Sequence, residues 1–261
     1  MSQAREILHQ SPPAARLLPP IGSLRRSIAL FRAFRVEQSD PDRFYSLLAA
    51  DSVREASRWC DLSGAVVLDV GGGPGYFADA FRTAGASYAG VDPDVGELTA
   101  RGEAGANTVR ASGLRLPFAD ASLDLTYSSN VLEHVPDPEE MAREMLRVTK
   151  PGGTVLISWT PWLSPWGGHE TAPWHYMGGH YAADRYAARR GHRPKNDFGR
   201  SLFACSIGRM SRWAEAAGGS GDLRVVALLP CYHPSWACWV VRVPGLREVL
   251  SWNAMLVLVK E

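Results

Sequence analysis

The chain has 261 residues, 46% of them apolar, and a formal net charge of +1. This length allows a sizeable core, and the balanced charge provides no global field to attract nucleic acid, so no nucleic-acid partner is expected. Four scattered cysteines without a CxxC pair argue against a disulfide framework or a zinc site and favour the reducing cytoplasm.

Residues 1–60 are interpreted as a leader followed by two cap helices. Residues 1–20 contain four prolines and lack the continuous apolar run of a signal peptide. No apolar stretch of the chain reaches the ~18 residues of a membrane-spanning helix. Apolar residues at positions 24, 28 and 31 predict a helix over residues 23–35. Asp40 and Pro41 suit the N-cap and first position of a second helix, over about residues 41–59.

Strands and helices alternate from residue 66 onwards. Apolar runs predict seven strands, at residues 66–70, 87–92, 107–111, 123–129, 154–160, 223–230 and 253–260. Helical patterns predict helices at residues 76–85, 95–105, 138–149 and 204–218. Such alternation is typical of βαβ units, so residues 61–261 are expected to form one α/β domain with a mostly parallel sheet and helices on both faces.

The alternation stops between residues 161 and 205. This segment holds four of the seven histidines and three tryptophans, most of them in PWLSPWGGHETAPWHYMGGHYAADRY at residues 161–186. A connection of this length without strong periodicity is usually functional. We therefore expect residues 161–205 to form an inserted lid after the fifth strand.

A glycine-rich loop follows the first predicted strand, in VVLDVGGGPGYF at residues 66–77. Glycines allow a turn with positive φ and let backbone N–H groups approach a ligand with no β-carbon in the way. The next helix would aim its N-terminus at that ligand, and Asp92, at the tip of the second strand, could accept hydrogen bonds from ribose hydroxyls. On the glycines alone, a structural turn and a dehydrogenase-type dinucleotide site both stay open. The spacing is G-x-G-x-G, however, and not the G-x-G-x-x-G of dinucleotide sites.

Five blocks together resemble the class I S-adenosylmethionine-dependent methyltransferases of the type 11 group. In the order and spacing of that family they are VLDVGGGPG (67–75), GVD (90–92), LPFADASLD (116–124), SSNVLEHV (128–135) and RVTKPGG (147–153). The whole chain is also similar to a group of actinobacterial methyltransferases associated with the cell envelope. The resemblance implies a Rossmann-like fold with S-adenosylmethionine as cofactor and S-adenosylhomocysteine as product.

The resemblance also implies which residues hold the cofactor. Its methionine part would be held by Asp69 and by the backbone of Gly71, Gly73 and Gly75, while Gly72 would occupy a variable position. Asn130, at the end of the fourth strand, would face the methionine or the transferred methyl group.

The ribose and adenine contacts would come from later segments. Asp92 would bind both ribose hydroxyls, and Pro93 would border the adenine. Many family members carry an Asp just after the third strand for the adenine amino group, whereas alignment on LPF places Ser112 there. Adenine recognition would then depend on Ser112 and on the backbone of Gly113 and Leu114.

Transfer of a methyl group to a hydroxyl requires a base, and histidine has a suitable pKa. The preferred candidate is His169, with Glu170 orienting an imidazole, and His134 and His175 are further candidates. The alternatives are a surface loop with incidental polar residues and, for His134, a residue that only shapes a helix start. No required metal is expected, because these histidines show neither an i, i+4 pair nor an HExxH arrangement. A divalent ion assisting a sugar hydroxyl is the one metal role left open.

Arginines at positions 25, 26, 32 and 35 make the first predicted helix basic. The favoured interpretation is a helix that covers the cofactor, as in related methyltransferases. The alternative is peripheral contact with the inner face of a membrane, which would favour a lipid-linked acceptor.

The leading hypothesis is an enzyme that methylates an oxygen of a glycolipid, saccharide or other small metabolite, with a histidine as general base. A carbon or nitrogen methyltransferase is the first alternative, because the five blocks concern the cofactor and not the acceptor. A non-catalytic cofactor-binding protein in envelope assembly is the second.

Overall fold

The computed structural model describes residues 18–37, 39–100 and 107–261. The predictions made for residues 1–17, most of the leader, lie outside the described residues, as does the stretch 101–106. Within the described ranges, no helix combines the length and apolarity needed to cross a bilayer.

One seven-stranded sheet organises the chain. Its strands are β1 (Val66–Val70), β2 (Ser87–Asp92), β3 (Thr108–Arg110), β4 (Leu123–Ser129), β5 (Thr149–Trp159), β6 (Leu223–Pro230) and β7 (Ala254–Lys260). Their order is β3-β2-β1-β4-β5-β7-β6. All pairs among β1 to β5 are parallel, and β7 runs antiparallel to both of its neighbours. The predicted mostly parallel sheet is confirmed.

The helices of the described residues are α1 (Leu24–Phe34), α2 (Pro41–Ala56), α3 (Tyr76–Thr83), α4 (Val95–Leu98), α5 (Pro138–Val148), α6 (Gly179–Arg190), α7 (Ile207–Gly219) and α8 (Leu246–Leu250). Short 3-10 helices cover Leu132–His134, His169–Thr171, Trp174–Met177 and Ser235–Arg242. The Asp40 carboxylate caps α2 by accepting from the Arg43 amide at 3.2 Å, as the Asp-Pro pair predicts.

The helices differ from the prediction in two places. The helix predicted for residues 95–105 ends at Leu98, Thr99 and Ala100 form a turn, and residues 101–105 lie outside the described residues. No helix was predicted in segment 161–205, whose sequence lacks strong periodicity, but this segment contains α6. This helix buries only two alanines and the first glycine, so it has no large apolar residues at helical spacing to reveal it in the sequence.

Helices cover both faces of the sheet. On one face, α5 and α7 pack Met141, Met145 and Met210 against the strands. On the other, α2 and α3 pack Val53 and Phe81 against the strands. Apolar side chains of the central strands, pointing alternately to the two faces, complete both cores.

A buried ion pair attaches α1 to this framework. The Arg26 guanidinium donates to both carboxylate oxygens of Asp51 on α2, at 2.6 and 2.8 Å, and its third nitrogen donates to the Cys231 carbonyl at 2.9 Å. Both side chains are almost completely buried. Arg26, one of the four arginines that make this helix basic, is therefore a structural residue.

Arg26→Met should lower the free energy of unfolding by roughly 3–5 kcal/mol, because it leaves the Asp51 carboxylate buried without its partner. Chemical denaturation measures this change. Arg25→Met is the matched control, since Arg25 is exposed and its loss should change stability by less than about 0.5 kcal/mol. Equal effects of the two substitutions would contradict a specific role for the buried pair.

Candidate functional site

The loop between β1 and α3 lies where the order of strands reverses. Strand β1 has β2 on one side and β4 on the other, and the crevice at this point is where open α/β sheets bind ligands. Gly71, Gly73 and Gly75 have φ values of 81°, 48° and 82°, which favour glycine over residues with a β-carbon. Helix α3 begins directly after Gly75 without a side-chain cap, so the positive end of its dipole lies at the loop.

Gly72 is also constrained, contrary to its predicted variable position. A β-carbon there would lie 2.9 Å from the Tyr88 hydroxyl and 3.1 Å from Oδ2 of Asp69. A β-carbon on Gly71 would lie 2.2 Å from Cγ2 of Val131, in the segment after β4. The glycine loop is thus held between β2 and the β4 segment. These neighbours are distant in sequence, so the motif alone could not reveal the restriction on Gly72.

Asp69 provides a buried carboxylate beneath the loop. It is 2% exposed, and its Oδ2 accepts a hydrogen bond from the Tyr88 hydroxyl at 2.8 Å. Burial raises the pKa of Asp69 to about 7, the negative charge of Asp92 adds to this, and the hydrogen bond from Tyr88 opposes it. A cationic ligand group beside Asp69 would restore its ionised form.

Asp92 connects the second strand to the loop. Its Oδ2 accepts from the Gly73 amide at 3.3 Å, and its Oδ1 accepts from the Asp94 amide at 2.9 Å. Burial raises the pKa of Asp92, while these two backbone hydrogen bonds lower it. The two halves of the predicted cofactor site therefore touch directly.

The residues predicted to border the adenine follow β2 and β3. Pro93 is exposed just beyond Asp92, and Gly113 is buried against Val70 at the end of β1. The Leu114 amide donates to the Ser112 hydroxyl oxygen at 3.2 Å, so this amide is not free for a ligand. The exposed Ser112 hydroxyl keeps its own hydrogen for donation.

Asn130 ends β4 with a positive φ of 57° and faces β5. Its Oδ1 accepts a hydrogen bond from the Asn253 amide and a longer one, at 3.5 Å, from the Thr160 hydroxyl. Asn253 is buried just before β7 and was not predicted as a site residue. No local motif marks it, because only the antiparallel pairing of β5 and β7 brings it to this edge of the sheet.

Glu133, His134 and His169 form a polar cluster beside Asn130. Glu133 is 1% exposed; its Oε1 accepts from the Thr160 amide at 2.9 Å, and its buried Oε2 has no hydrogen-bond partner among the described residues. The rings of His134 and His169 lie 5.1 Å apart in an edge-to-face arrangement. Sequence reasoning missed Glu133, although it directly precedes His134 in the motif.

Backbone carbonyls orient both rings of the cluster. Nδ1 of His134 lies 2.7 Å from the Ser201 carbonyl oxygen, and Nδ1 of His169 lies 3.3 Å from that of Gly167. A carbonyl only accepts, so each Nδ1 carries the proton and each Nε2 keeps its lone pair. Burial lowers the pKa of His169, the Glu133 carboxylate opposes this shift, and His134 adds to it. His169 also has an unusual positive φ of 49°.

Two of the four predicted catalytic residues lie elsewhere. Both carboxylate oxygens of Glu170 accept hydrogen bonds from Asn196, at 2.8 Å each, so Glu170 does not orient an imidazole. His175 is 1% exposed, and its Nε2 lies 3.1 Å from the Ser164 carbonyl. A side chain so enclosed cannot contact an acceptor, and we assign His175 to the packing of the insertion.

The cluster also bears on the prediction that no metal is required. That prediction considered the spacing of histidines along the sequence, whereas the fold joins Glu133 and His134 to His169. One ligand atom from each of the three lies within 4.8 Å of the others. Such a donor set suits a divalent ion as well as proton transfer.

The position of the loop, the strand-end carboxylate and the helix N-terminus is that of nucleoside-binding α/β proteins. A methyltransferase domain family matches residues 68–157. The chain is 51% identical over 256 residues to an uncharacterized methyltransferase of Mycolicibacterium gilvum (strain PYR-GCK), covering 94% of this chain and 98% of that protein. The chain is also 52% identical over 246 residues to an uncharacterized methyltransferase of Mycobacterium marinum (strain ATCC BAA-535 / M), covering 90% of this chain and 94% of that protein.

Among solved structures, an S-adenosylmethionine-dependent methyltransferase from Mesorhizobium loti has a TM-score of 0.54 at 19% identity, covering 80% of this chain and 96% of that one. The chain therefore belongs to the class I S-adenosylmethionine-dependent methyltransferases, and S-adenosylmethionine is its cofactor. The residues present fit this group. Glycines leave a cradle that β-carbons would fill, Asp69 offers a buried carboxylate to the ammonium, and Asp92 offers lone pairs to the ribose.

Gly72→Ala should weaken the binding of S-adenosylhomocysteine by about tenfold or more, because the added methyl group displaces Tyr88 or Asp69. Isothermal titration calorimetry measures the effect. Gly219→Ala is the matched control, since nothing lies within 4 Å of the methyl group it would introduce. Unchanged affinity in Gly72→Ala would show that the loop tolerates a side chain there.

The affinity for S-adenosylhomocysteine should also depend on pH through Asp69. The raised pKa of about 7 means that Asp69 is protonated at pH 5.5 and half ionised at pH 7, and only the ionised form attracts the ammonium. We expect roughly tenfold tighter binding at pH 7 than at pH 5.5. Asp69→Asn should bind weakly at both pH values, and an equal pH dependence in this variant would assign the effect to another group.

Proposed function

We propose that the enzyme methylates a hydroxyl oxygen of a saccharide, glycolipid or other small metabolite in the cytoplasm, with a histidine of the polar cluster as base. The observation that carries this proposal is the grouping of Glu133, His134 and His169 at the rim of the cofactor site. In the same proposal, residues 161–205 form the lid that binds the acceptor, because His169 belongs to that insertion.

The cluster follows directly on a segment that packs against the cofactor loop. Val131, between Asn130 and Glu133, packs directly against Gly71. Thr160 donates from its amide to Glu133 and from its hydroxyl to Asn130. A hydroxyl held by the cluster would therefore lie on the side of the cofactor site where Asn130 is expected to face the methyl group.

When bound, S-adenosylmethionine would supply an electrophilic methyl group with a neutral thioether as its leaving group. His169 would accept the proton of the acceptor hydroxyl at Nε2, which leaves that oxygen as the nucleophile for the methyl group. Oε2 of Glu133, which has no hydrogen-bond partner among the described residues, would stabilise the resulting imidazolium. His134, whose ring is held by the Ser201 carbonyl, orients the acceptor.

Aromatic side chains of the insertion support a saccharide or partly apolar acceptor. Trp166 contacts Phe31 and Phe34 of α1 at ring distances of 6.3 and 5.2 Å, so the insertion and α1 close over the same region. Trp166 is still 37% exposed, which leaves part of its ring for an acceptor. A carbon or nitrogen methyltransferase would use the same cofactor site but would have less need of a base. A non-catalytic cofactor-binding protein would need no base, so the histidine cluster favours oxygen methylation over both alternatives.

His169→Ala should lower kcat at least about a hundredfold while leaving S-adenosylhomocysteine affinity unchanged, because a general base typically contributes that much to the rate. The acceptor is first identified by comparing lipids and polar metabolites of cells with and without the gene. Added imidazole should partly restore turnover in this variant, and His192→Ala, an exposed histidine of the same insertion, is the control.

Glu133→Gln tests the electrostatic role of Glu133, because it removes the negative charge beside the imidazolium, and should lower kcat without changing KM or cofactor affinity. Full activity of His169→Ala, or activity that requires a divalent ion and is abolished by EDTA, would contradict a histidine base. Absence of any S-adenosylhomocysteine binding would contradict the cofactor site itself, and with it the proposed methyl transfer.

A further inference from the structure

Large apolar side chains are exposed on three neighbouring segments of the surface. They are Leu24 and Ile28 of α1, Trp236 and Trp239 of the 3-10 helix Ser235–Arg242, and Leu246, Val249 and Leu250 of α8. Trp236 is 72% exposed and Trp239 is 53% exposed, values at which a tryptophan gains little from packing within the chain. We call these seven residues the tryptophan face.

Direct contacts hold the three segments together. The Ser235 amide donates to the Gly22 carbonyl at 2.7 Å, which sets the 3-10 helix beside the start of α1. Nε2 of His233, just before that helix, lies 2.9 Å from the Leu250 carbonyl at the end of α8. Phe31 of α1 packs against Trp252, two residues after α8, at a ring distance of 5.3 Å. The exposed apolar residues therefore belong to one region.

Exposed arginines accompany the tryptophan face. Arg25, Arg32 and Arg35 fall on the same stripe of α1 as Ile28, at helical spacing, and Arg242 ends the 3-10 helix. All four are exposed, and none forms an ion pair with another described residue. Glu248, the acid of α8, is turned away from solvent, since its carboxylate accepts from the Ile207 and Gly208 amides at 2.8 Å.

We propose that the tryptophan face binds the surface of an anionic lipid bilayer. Tryptophan rings suit the boundary between headgroups and acyl chains, and the exposed arginines beside them would attract lipid phosphates. Apolar area plus several cations on one surface is the combination that reversible membrane binding requires. In this proposal binding uses α1, for which membrane contact was the alternative to covering the cofactor, but it depends mainly on Trp236 and Trp239.

The tryptophan face is continuous with the mouth of the proposed acceptor site. Phe31 contacts both Trp252, beside the face, and Trp166, in the insertion that carries His169. Resting on the function proposed above, this arrangement favours a lipid-linked acceptor, whose headgroup hydroxyl enters the site while its acyl part stays in the bilayer. The membrane binding itself requires no methyl transfer.

The test is co-sedimentation of the full chain with vesicles, without acceptor. The protein should bind vesicles of phosphatidylcholine mixed with phosphatidylglycerol and bind phosphatidylcholine alone more weakly, with salt reducing the difference. Trp236→Ser/Trp239→Ser should lower the partition coefficient by about tenfold or more, because it removes most of the apolar anchor. Val109→Ser, an exposed apolar residue on the edge strand β3, is its control.

Charge is tested separately. Arg25→Glu/Arg32→Glu should abolish the preference for anionic vesicles, whereas Arg189→Glu/Arg190→Glu, the same change of charge on α6, should not. No binding of wild-type protein to anionic vesicles would overturn the proposal. So would light scattering that shows a wild-type dimer converted to a monomer by Trp236→Ser/Trp239→Ser, since a second copy would then cover the face.

These outcomes are distinguishable from a failure of the proposed function. If the protein does not bind vesicles but keeps its S-adenosylhomocysteine affinity and its turnover of a soluble acceptor, only the proposal that the tryptophan face binds membranes is contradicted. If the protein binds vesicles and His169→Ala keeps full activity, only the proposal that a histidine acts as the base is contradicted.

Discussion

The structure depends on one close approach, between the glycine loop after β1 and the strands on either side of it. At the point where strand order reverses, the loop packs against Val131 on one side and lies beside Tyr88 and Asp92 on the other. No β-carbon fits at Gly71 or Gly72 without displacing these neighbours. The loop amides are themselves hydrogen-bonded, those of Gly71 and Gly72 to the Val91 carbonyl, that of Gly73 to Asp92 and that of Gly75 to the Gly72 carbonyl. The missing side chains therefore serve the cofactor as open space at Gly73 and Gly75, where nothing lies within 4 Å of an added β-carbon.

The reactive side of the site follows from where β4 and β5 end. Ser129 pairs with Ser158, so the segments that continue from these strands stay adjacent and Thr160 can donate to both Asn130 and Glu133. Oε2 of the buried Glu133 has no hydrogen-bond partner in the part of the chain that the structure describes, and Glu133 forms one cluster with His169 of the insertion. A buried acceptor without a partner costs free energy, so its presence calls for an explanation, and a catalytic role is one such explanation. This supports the proposal that the cluster takes part in the reaction.

Helix α1 links the two proposals. The Arg26–Asp51 ion pair fixes its inner face to α2, and its Phe31 and Phe34 contact Trp166 of the insertion. Its outer face carries Ile28 with exposed arginines. Because one rigid helix contributes to both surfaces, a membrane bound on the outside would lie next to the entrance of the site. A lipid-linked acceptor could then be reached without leaving the bilayer.

The sequence by itself determined the fold class and the methyl donor, because strand–helix alternation and the loop around Gly71 to Gly75 depend on local spacing. It could not determine which polar residues share a site. Glu170 and His175 follow His169 closely in the chain, yet the insertion turns them toward Asn196 and into its own interior. Glu133 and Asn253 gained their roles only from strand order and the antiparallel pairing of β7. Contacts between distant segments are set by the tertiary structure, and the polar cluster beside Asn130 is built from such contacts.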